Sequence, residues 1–219
     1  IVLARELNLE QVRTICDNIE KELIKGPSGE LVRIEMFIHG ALCMAVSGKC
    51  YLSLHAQNHS ANRGDCLQIC RRPYEVKDKT SGLTLEIDNE YIMSPKDLAT
   101  INFLDKILDT GVKVLKIEGR GRSPEYVKVT TEVYHSAVDA YLKGEFTDEK
   151  VKIWSERLER VYNRGFWDGY YLGRQLGEWT NRHGSSATTK KVYVGKAMNY
   201  YNKINIADFY VEDQEIAVG

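Results

Sequence analysis

The cysteines are the residues whose type and spacing most clearly indicate chemistry. Four of the five fall within the 28 residues from 43 to 70. Six residues separate Cys43 from Cys50, fifteen separate Cys50 from Cys66, and three separate Cys66 from Cys70. Cys16 stands alone in a helix-like stretch. This clustering is typical of metal ligation in a reducing compartment, because a secreted disulfide framework needs cysteine pairs spread along the chain.

Four thiolates brought together could hold either of two metal centres, a four-iron, four-sulfur (4Fe-4S) cluster or a structural zinc ion. Zinc sites usually contain paired knuckles with about two to four residues between the cysteines of each pair. Only Cys66 and Cys70 have that spacing, so the pattern favours iron-sulfur. Thiols without a metal are the alternative, although the glycines and polar residues of the segment 40–72 are unlike those of a plain core.

Charged residues also stand near the predicted ends of three strands: Arg5 and Glu6, then Glu35 and His39, then Glu118 and Arg120. Residues two apart on a strand lie on the same side, and the carboxyl ends of barrel strands form the mouth where ligands bind. The sequence therefore predicts one shared cavity with Glu35, His39, Glu118 and Arg120 as candidate catalytic residues. The alternative is an interior salt bridge, for example between Glu35 and either Arg120 or Lys116.

Protease motifs are missing from the sequence. Neither HExxH nor GxSxG occurs, so the zinc-protease and serine-hydrolase patterns are excluded. A cysteine protease could be assembled from Cys43 with His39 or His55, but it would leave three neighbouring cysteines without a role.

Composition describes an ordinary folded protein of 219 residues, 43% apolar and 28% charged, with 4 prolines. No apolar run approaches the roughly 18 residues that cross a bilayer, and no basic stretch leads into an apolar signal segment. We expect a cytoplasmic protein that does not contact a membrane. Because the chain begins at Ile1 with an apolar run typical of a buried strand, we also expect an N-terminal portion to be missing.

Strand, turn and helix alternate three times along the first part of the chain. The predicted strands are Ile1–Ala4, Leu31–Ile38 and Val112–Ile117, and helices are predicted from the caps at Asn8, at Ser94 with Pro95 and Asp97, and at Ser123 with Pro124. A further helix is predicted over Thr147–Arg164, a packed loop after it, and an inserted hairpin strand over Leu83–Ile87. Such alternation predicts an α/β fold with parallel strands, and three units are too few to close an eightfold barrel.

We therefore expect residues 1–180 to form the C-terminal part of a TIM-like (β/α) barrel that carries the cysteine-rich insertion at about 40–72. The His, Gly, Ser and Thr residues of the segment 181–190 indicate a linker. Residues 191–219 contain three short alternating segments, 192–197, 204–211 and 215–218, which predict the start of a small antiparallel β-barrel domain.

The net charge of the chain is -1, which does not by itself indicate nucleic-acid binding. Two local basic clusters could contact an RNA backbone: Arg71 with Arg72, and Lys190 with Lys191 near Lys196, Tyr200, Tyr201 and Lys203. Short basic pairs are more often solvated surface.

Three cysteine-containing segments carry a family resemblance. They are Glu35–Cys43 (EMFIHGALC), Ser47–Ser53 (SGKCYLS) and Asn62–Arg71 (NRGDCLQICR). They resemble the signature of peptidase family U32, the collagenase-like protease family, and the similarity extends through Lys116–Arg120, Arg164–Phe166 and Val194–Lys196.

The resemblance implies an activity different from the family's name. It is strongest to members that hydroxylate the wobble uridine of tRNA to 5-hydroxyuridine, with a 4Fe-4S cluster and with prephenate as the implied hydroxyl donor. It implies Cys43, Cys50, Cys66 and Cys70 as cluster ligands, while ubiquinone-type relatives place their fourth cysteine near the position of Glu118.

The expected function is therefore an iron-sulfur-dependent RNA-modifying enzyme with tRNA and a small hydroxyl donor as partners. Two alternatives stand beside it: a collagenase-like peptidase of the same family, and a non-catalytic RNA-binding fragment stabilised by a metal.

Overall fold

The computed structural model describes residues 1–82, 84, 85, 90–173 and 177–213 of the chain. Its helices are α1 (Leu9–Lys21), α2 (Leu52–Gln57), α3 (Leu104–Leu108), α4 (Pro124–Leu142) and α5 (Asp148–Arg160). Its strands are β1 (Glu35–Gly40), β2 (Val76–Lys77), β3 (Thr84–Leu85), β4 (Asp97–Ala99), β5 (Val114–Ile117), β6 (Phe166–Trp167), β7 (Gly195–Tyr201) and β8 (Ile206–Val211).

The main sheet has four strands in the order β5-β1-β4-β6. β1 lies parallel to β5, with Phe37 opposite Lys116, and β4 lies parallel to β6. β1 and β4 are antiparallel and meet only where His39 lies opposite Ala99 and Gly40 opposite Leu98. The α/β class and its parallel strand pairs are confirmed, whereas the sheet as described is mixed and does not close into a barrel.

Three helix starts agree with the sequence prediction because their caps satisfy the free backbone N–H groups of the first turn. Asn8 and Gln11 form a reciprocal capping box at the start of α1. Ser123 caps α4, with Pro124 in the first turn, and Thr147 caps α5.

The core lies between the sheet and the apolar faces of these helices. Alternate β1 residues point inward, and Met36 and Ile38 are each 1% exposed. α1 contributes Val12 and Cys16 to the same cluster, and α4 contributes its apolar stripe, which includes Val133. Cys16 is therefore a core residue, well separated in role from the other cysteines.

One predicted helix start is wrong. Residues 97–99 form the extended strand β4, and α3 begins only at Leu104, after a short 3-10 turn. The side chains that resemble caps have tertiary partners instead: Ser94 accepts a hydrogen bond from Arg71, and Asp97 binds two arginines. Tertiary contacts override the local capping preference here.

Three other expectations need correction. The first residues are not a buried strand, because Ile1 is 71% exposed and Val2 forms only a single parallel bridge, with Glu35. The stretch after α5 is not only a packed loop, because Phe166 and Trp167 form β6. The helix predicted to reach residue 164 ends at Arg160.

The chain divides into two compact units, Ile1–Thr188 and Thr189–Gly219. The second unit contains an antiparallel hairpin of β7 and β8, with exposed residues along nearly all of both strands. A complete small β-barrel is not confirmed, and the segment predicted at 215–218 lies outside the described residues. Of the hairpin strand predicted at 83–87, only Thr84 and Leu85 are described, and they pair with β2. In the described part of the chain, no helix has the length and apolar character needed to cross a membrane.

Candidate functional site

The carboxyl end of β1 lies against the end of β5 at a contact that only glycine permits. Gly40 has a φ of +113°, and a Cβ atom there would lie 2.5 Å from the backbone oxygen of Glu118. The backbone N–H of Glu118 donates to the His39 carbonyl oxygen at 2.8 Å. The cysteine segment leaves the sheet immediately after this contact, so its position is set by the two strand ends.

Two arginines fasten the cysteine segment to the body of the fold. Arg5 donates to the Ala41 carbonyl oxygen at 2.6 Å and to Cys43 Sγ at 3.2 Å. Arg71 donates to the carbonyl oxygens of Leu42 and Pro95, each at 2.6 Å. Both guanidinium groups therefore hold backbone and place positive charge beside thiols.

The other three clustered thiols lie within electrostatic reach of Cys70. Burial raises the pKa of the Cys70 thiol, nearby Arg71 opposes the increase, and the charges of Cys66, Cys43 and Cys50 add to it. Cys43 and Cys66 are exposed, whereas Cys50 and Cys70 are half-buried. Within residues 1–82, 84, 85, 90–173 and 177–213, no three His, Cys, Asp or Glu side chains are already arranged to hold a metal ion. The structure thus gathers the predicted ligands into one region without a preformed coordination shell.

The loops between the cysteines are shaped by side chains that bond to backbone. Ser53 in α2 accepts a hydrogen bond from the Leu67 N–H at 3.1 Å, and Asn62 accepts one from the Cys50 N–H at 3.3 Å. Glu6 accepts from the Ser47 N–H at 2.9 Å, while its second carboxylate oxygen is buried with no hydrogen-bond partner. The first two bonds connect parts of the cysteine segment to each other, and the bond from Glu6 ties the loop between Cys43 and Cys50 to the start of the chain.

His39 is placed inside the protein. It is 1% exposed and packs against the rings of Tyr126, Tyr134 and Phe166 at centroid distances of 5.4 to 5.9 Å. Burial, together with the charge of Arg122, lowers the pKa of His39 to about 3. The imidazole is therefore neutral at physiological pH and hydrogen-bonded to the Tyr134 hydroxyl at 3.3 Å.

Glu35 lies at the other end of β1. Its carboxylate forms an ion pair with Lys116 at 2.7 Å, and the two side chains are 26% and 41% exposed. Lys116 also lies over the Phe37 ring, 5.0 Å from its centroid. Glu35 thus forms a salt bridge along the sheet, which is the alternative that the sequence left open.

A cavity of about 330 Å³ is formed by residues of the cysteine segment, the turn after β5 and the residues just before β6. Its lining residues are Ala41, Gln68, Arg120, Gly121, Arg122, Ser123, Tyr162 and Arg164. Of the predicted catalytic residues, only Arg120 belongs to this lining. Glu118 is adjacent in the chain, and its carboxylate accepts a hydrogen bond from the Arg120 backbone N–H at 2.8 Å.

Asp97 anchors two of the cavity's three arginines. Its carboxylate is 1% exposed and pairs with Arg122 at 3.1 Å and with Arg164 at 3.3 Å. The Arg122 guanidinium also stacks on Tyr162, 4.2 Å from the ring centroid. Arg164 donates to Gln68, which lies between Cys66 and Cys70, at 3.3 Å. The arginine cavity and the cysteine segment are therefore directly connected.

Sequence reasoning missed Asp97, Arg122 and Tyr162 as site residues. Arg122 carried a signal, because it repeats Arg120 two residues later, directly before the helix cap at Ser123. Asp97 and Tyr162 carried none, since Asp97 resembled a helix-capping residue and Tyr162 one aromatic among many.

The sequence pattern of Peptidase family U32 matches residues 1–181. The chain belongs to this family. A U32 relative from Porphyromonas gingivalis strain W83 named "Collagenase" is 60% identical over 219 residues, which are 100% of this chain and 53% of that protein. "tRNA hydroxylation protein P1" of Bacillus subtilis is 34% identical over 91% of this chain and 46% of its own length.

"23S rRNA 5-hydroxycytidine C2501 synthase" of Escherichia coli is 38% identical over 81% of this chain and 26% of its own length. The chain thus spans about half or less of the length of these U32 relatives, which are named as a collagenase or as RNA-hydroxylation proteins. No solved structure matches the chain.

Proposed function

We propose that this U32 chain is part of an iron-sulfur-dependent enzyme that hydroxylates the wobble uridine of tRNA to 5-hydroxyuridine, with prephenate as the hydroxyl donor. The observation that carries the proposal is the gathering of four thiols around Cys70 beside Arg5 and Arg71. U32 relatives at 34% and 38% identity are named for tRNA hydroxylation and rRNA hydroxycytidine synthesis.

The donor set fits a 4Fe-4S cluster. Four thiolates are the usual shell of that cluster, and the two neighbouring guanidinium groups offset their negative charge. Cys43, Cys50, Cys66 and Cys70 would hold the cluster, and Arg5 would donate a hydrogen bond to the Cys43 sulfur. A bound cluster supplies one-electron transfer, and hydrogen bonds to its sulfur ligands tune the reduction potential.

The reaction balances as an oxygen transfer. The C5–H bond of uridine becomes C5–O–H, so uridine loses two electrons, and the donor that gives up its hydroxyl gains those two electrons and a proton. The protein's own tasks are to hold both substrates and to exclude competing water. His39 is sealed behind three aromatic rings, so we assign it a positioning role at the β1 end and not direct contact with a substrate.

On the same resemblance, the parallel strands belong to a TIM-like barrel, and the hairpin of residues 195–211 belongs to a small β-barrel domain that helps to hold RNA. The exposed tyrosines Tyr200 and Tyr201 and the basic Lys196 of that hairpin are suited to base stacking and phosphate contact. The reaction takes place in the cytoplasm, where the tRNA is.

The test is mass spectrometry of tRNA nucleosides from the host after deletion of the gene. We expect 5-hydroxyuridine and its derivatives at the wobble position to disappear, and to return with the intact gene. A Cys70→Ser version should fail to restore them, whereas Cys16→Ser, which alters only a core cysteine, should succeed. Unchanged wobble uridines in the deletion strain would contradict the proposal.

The second candidate is a peptidase, favoured by the 60% identical relative named "Collagenase". The geometry gives little support to a peptidase, because His39, one of the two histidines predicted to pair with Cys43, is buried and hydrogen-bonded to the Tyr134 hydroxyl. Cleavage of collagen peptides by iron-free protein, together with unchanged host tRNA, would establish the peptidase. Bound tRNA and a cluster without any nucleoside change would establish the non-catalytic fragment.

A further inference from the structure

The arginine cavity has a charge that its own residues do not neutralise. Three guanidinium groups, those of Arg120, Arg122 and Arg164, line it. Asp97 is the carboxylate that pairs with Arg122 and Arg164, and in the described part of the chain Arg120 has no ion-pair partner. Three positive charges against one negative charge leave a formal charge of +2 in the cavity wall. The Glu118 carboxylate accepts a hydrogen bond from the Arg120 backbone N–H and keeps its negative charge, but Glu118 does not belong to the cavity lining.

Two of these arginines are held in fixed orientations. The side chains of Arg122 and Arg164 are 8% and 11% exposed, and each has its guanidinium group over the Tyr162 ring, at 4.2 and 5.3 Å from the centroid. Taking a guanidinium group out of water is costly unless it is paired. Asp97 can pair fully with only one of the two, so the second positive charge is available to a ligand.

The backbone adds to the same potential. Ser123, which caps the 19-residue helix α4, belongs to the cavity lining. The first turn of a helix carries a partial positive charge that favours anions. Helix and arginines therefore act on the cavity in the same direction.

The size of the cavity suits a small-molecule ligand better than an RNA strand. About 330 Å³ lies at the lower end of the range for small-molecule sites. Arginines that follow an RNA backbone are solvent-exposed along a groove, whereas Arg122 and Arg164 lie inside. A guanidinium group binds a planar carboxylate through two parallel hydrogen bonds, and two free positive charges match two carboxylates.

We propose that this cavity binds a small dicarboxylate, the hydroxyl-donating co-substrate, with Arg120 as the residue most available to it and with Arg122 and Arg164 oriented by Asp97 and Tyr162. The proposal rests on the proposed function for the identity of the ligand. The Arg164–Gln68 hydrogen bond places the bound dicarboxylate next to the loop between Cys66 and Cys70.

Binding is measured by equilibrium dialysis of labelled prephenate against the purified chain, without any assay of turnover. We expect Arg120→Gln to weaken binding about tenfold or more, since a charge-assisted contact is lost. Arg13→Gln removes an exposed arginine on α1 that does not belong to the cavity lining, and should bind like the unchanged protein. Arg164→Lys keeps the charge but loses the planar fork, and should weaken binding if its melting temperature shows that the fold is retained.

Unlabelled malonate should compete with prephenate at lower concentration than inorganic phosphate does. Equal prephenate binding by Arg120→Gln and the unchanged protein would overturn the proposal, and so would an absence of prephenate binding. Competition by a short single-stranded RNA but not by malonate would also overturn it and would identify a phosphate contact. Prephenate binding that depends on Arg120, in a host whose wobble uridines never change, would leave the cavity assignment standing and remove only the proposed function.

Discussion

The two ends of β1 carry ion pairs of very different character. At its start, Glu35 pairs with Lys116 on a partly exposed part of the sheet. Near its end, where Gly40 lies opposite Leu98, the adjacent Asp97 is buried and joins Arg122 and Arg164. Exposed pairs contribute little to stability, whereas breaking a buried pair leaves an uncompensated charge. The comparison indicates that the end of β1 is where the fold holds charge in place for a purpose other than stability.

Replacing Asp97 should give the largest loss of stability among the variants that compare the two ends of β1. Asp97→Asn keeps the shape of the side chain but leaves the Arg122 and Arg164 guanidinium groups buried without a counter-charge. We expect the free energy of unfolding to fall by about 3 to 5 kcal/mol, measured by urea denaturation. A loss below about 1 kcal/mol would show that solvent already screens this network.

The contact at Gly40 should give the next largest effect. Gly40→Ala places a Cβ atom 2.5 Å from the Glu118 carbonyl oxygen at a φ of +113°, so the ends of β1 and β5 must separate at a cost of about 2 to 4 kcal/mol. Gly48→Ala is the matched control, because Gly48 also has a positive φ, of +75°, but has no atom within 4 Å of the added Cβ. Equal losses in thermal melts of the two variants would refute the close contact.

The buried His39 should make stability depend on pH. Its folded-state pKa of about 3 lies below the ordinary value of 6.5, so below pH 6.5 the unfolded chain takes up a proton that the folded chain does not. The contribution of neutral His39 to the free energy of unfolding is therefore fully present well above pH 6.5 and is lost progressively as the pH falls toward 3. Between pH 7 and pH 5 we expect a loss of about 2 kcal/mol from this group. His39→Gln should remove that part of the pH dependence in parallel urea titrations, and an unchanged slope would contradict the assignment.

The start of β1 should give the smallest effect. Glu35→Gln removes the ion pair with Lys116, whose side chain is 41% exposed, and should cost less than about 1 kcal/mol. The loss should shrink further in high salt, because exposed charges are screened. A loss comparable to that of Asp97→Asn would erase the difference between the two ends of the strand.

The sequence was sufficient for the features that depend on local chemistry. The caps at Asn8 and Ser123 predicted where α1 and α4 begin, the helix predicted from Thr147 matches the start of α5, and the spacing of the cysteines singled out the segment 40–72. The alternation of strand and helix predicted the parallel pairing of β1 with β5.

Features that depend on distant partners were not predictable. Asp97 resembles a helix-capping residue until Arg122 and Arg164 are seen to bind it, because the residues that decide its role are 25 and 67 positions away. The period-2 pattern placed Glu35 and His39 on one side of β1 but could not show that one is partly exposed and the other sealed behind aromatic rings. The arginine cavity is likewise assembled from four separate parts of the chain, at residues 41, 68, 120–123 and 162–164.

The most direct test of the account is the iron and sulfide content of protein purified without oxygen, for the unchanged chain and for single serine variants of each cysteine. We predict about four iron and four sulfide per chain, a marked loss in each of Cys43→Ser, Cys50→Ser, Cys66→Ser and Cys70→Ser, and full content in Cys16→Ser. Iron absent from the unchanged protein, or retained equally in all five variants, would contradict the claim that these four thiols hold a cluster.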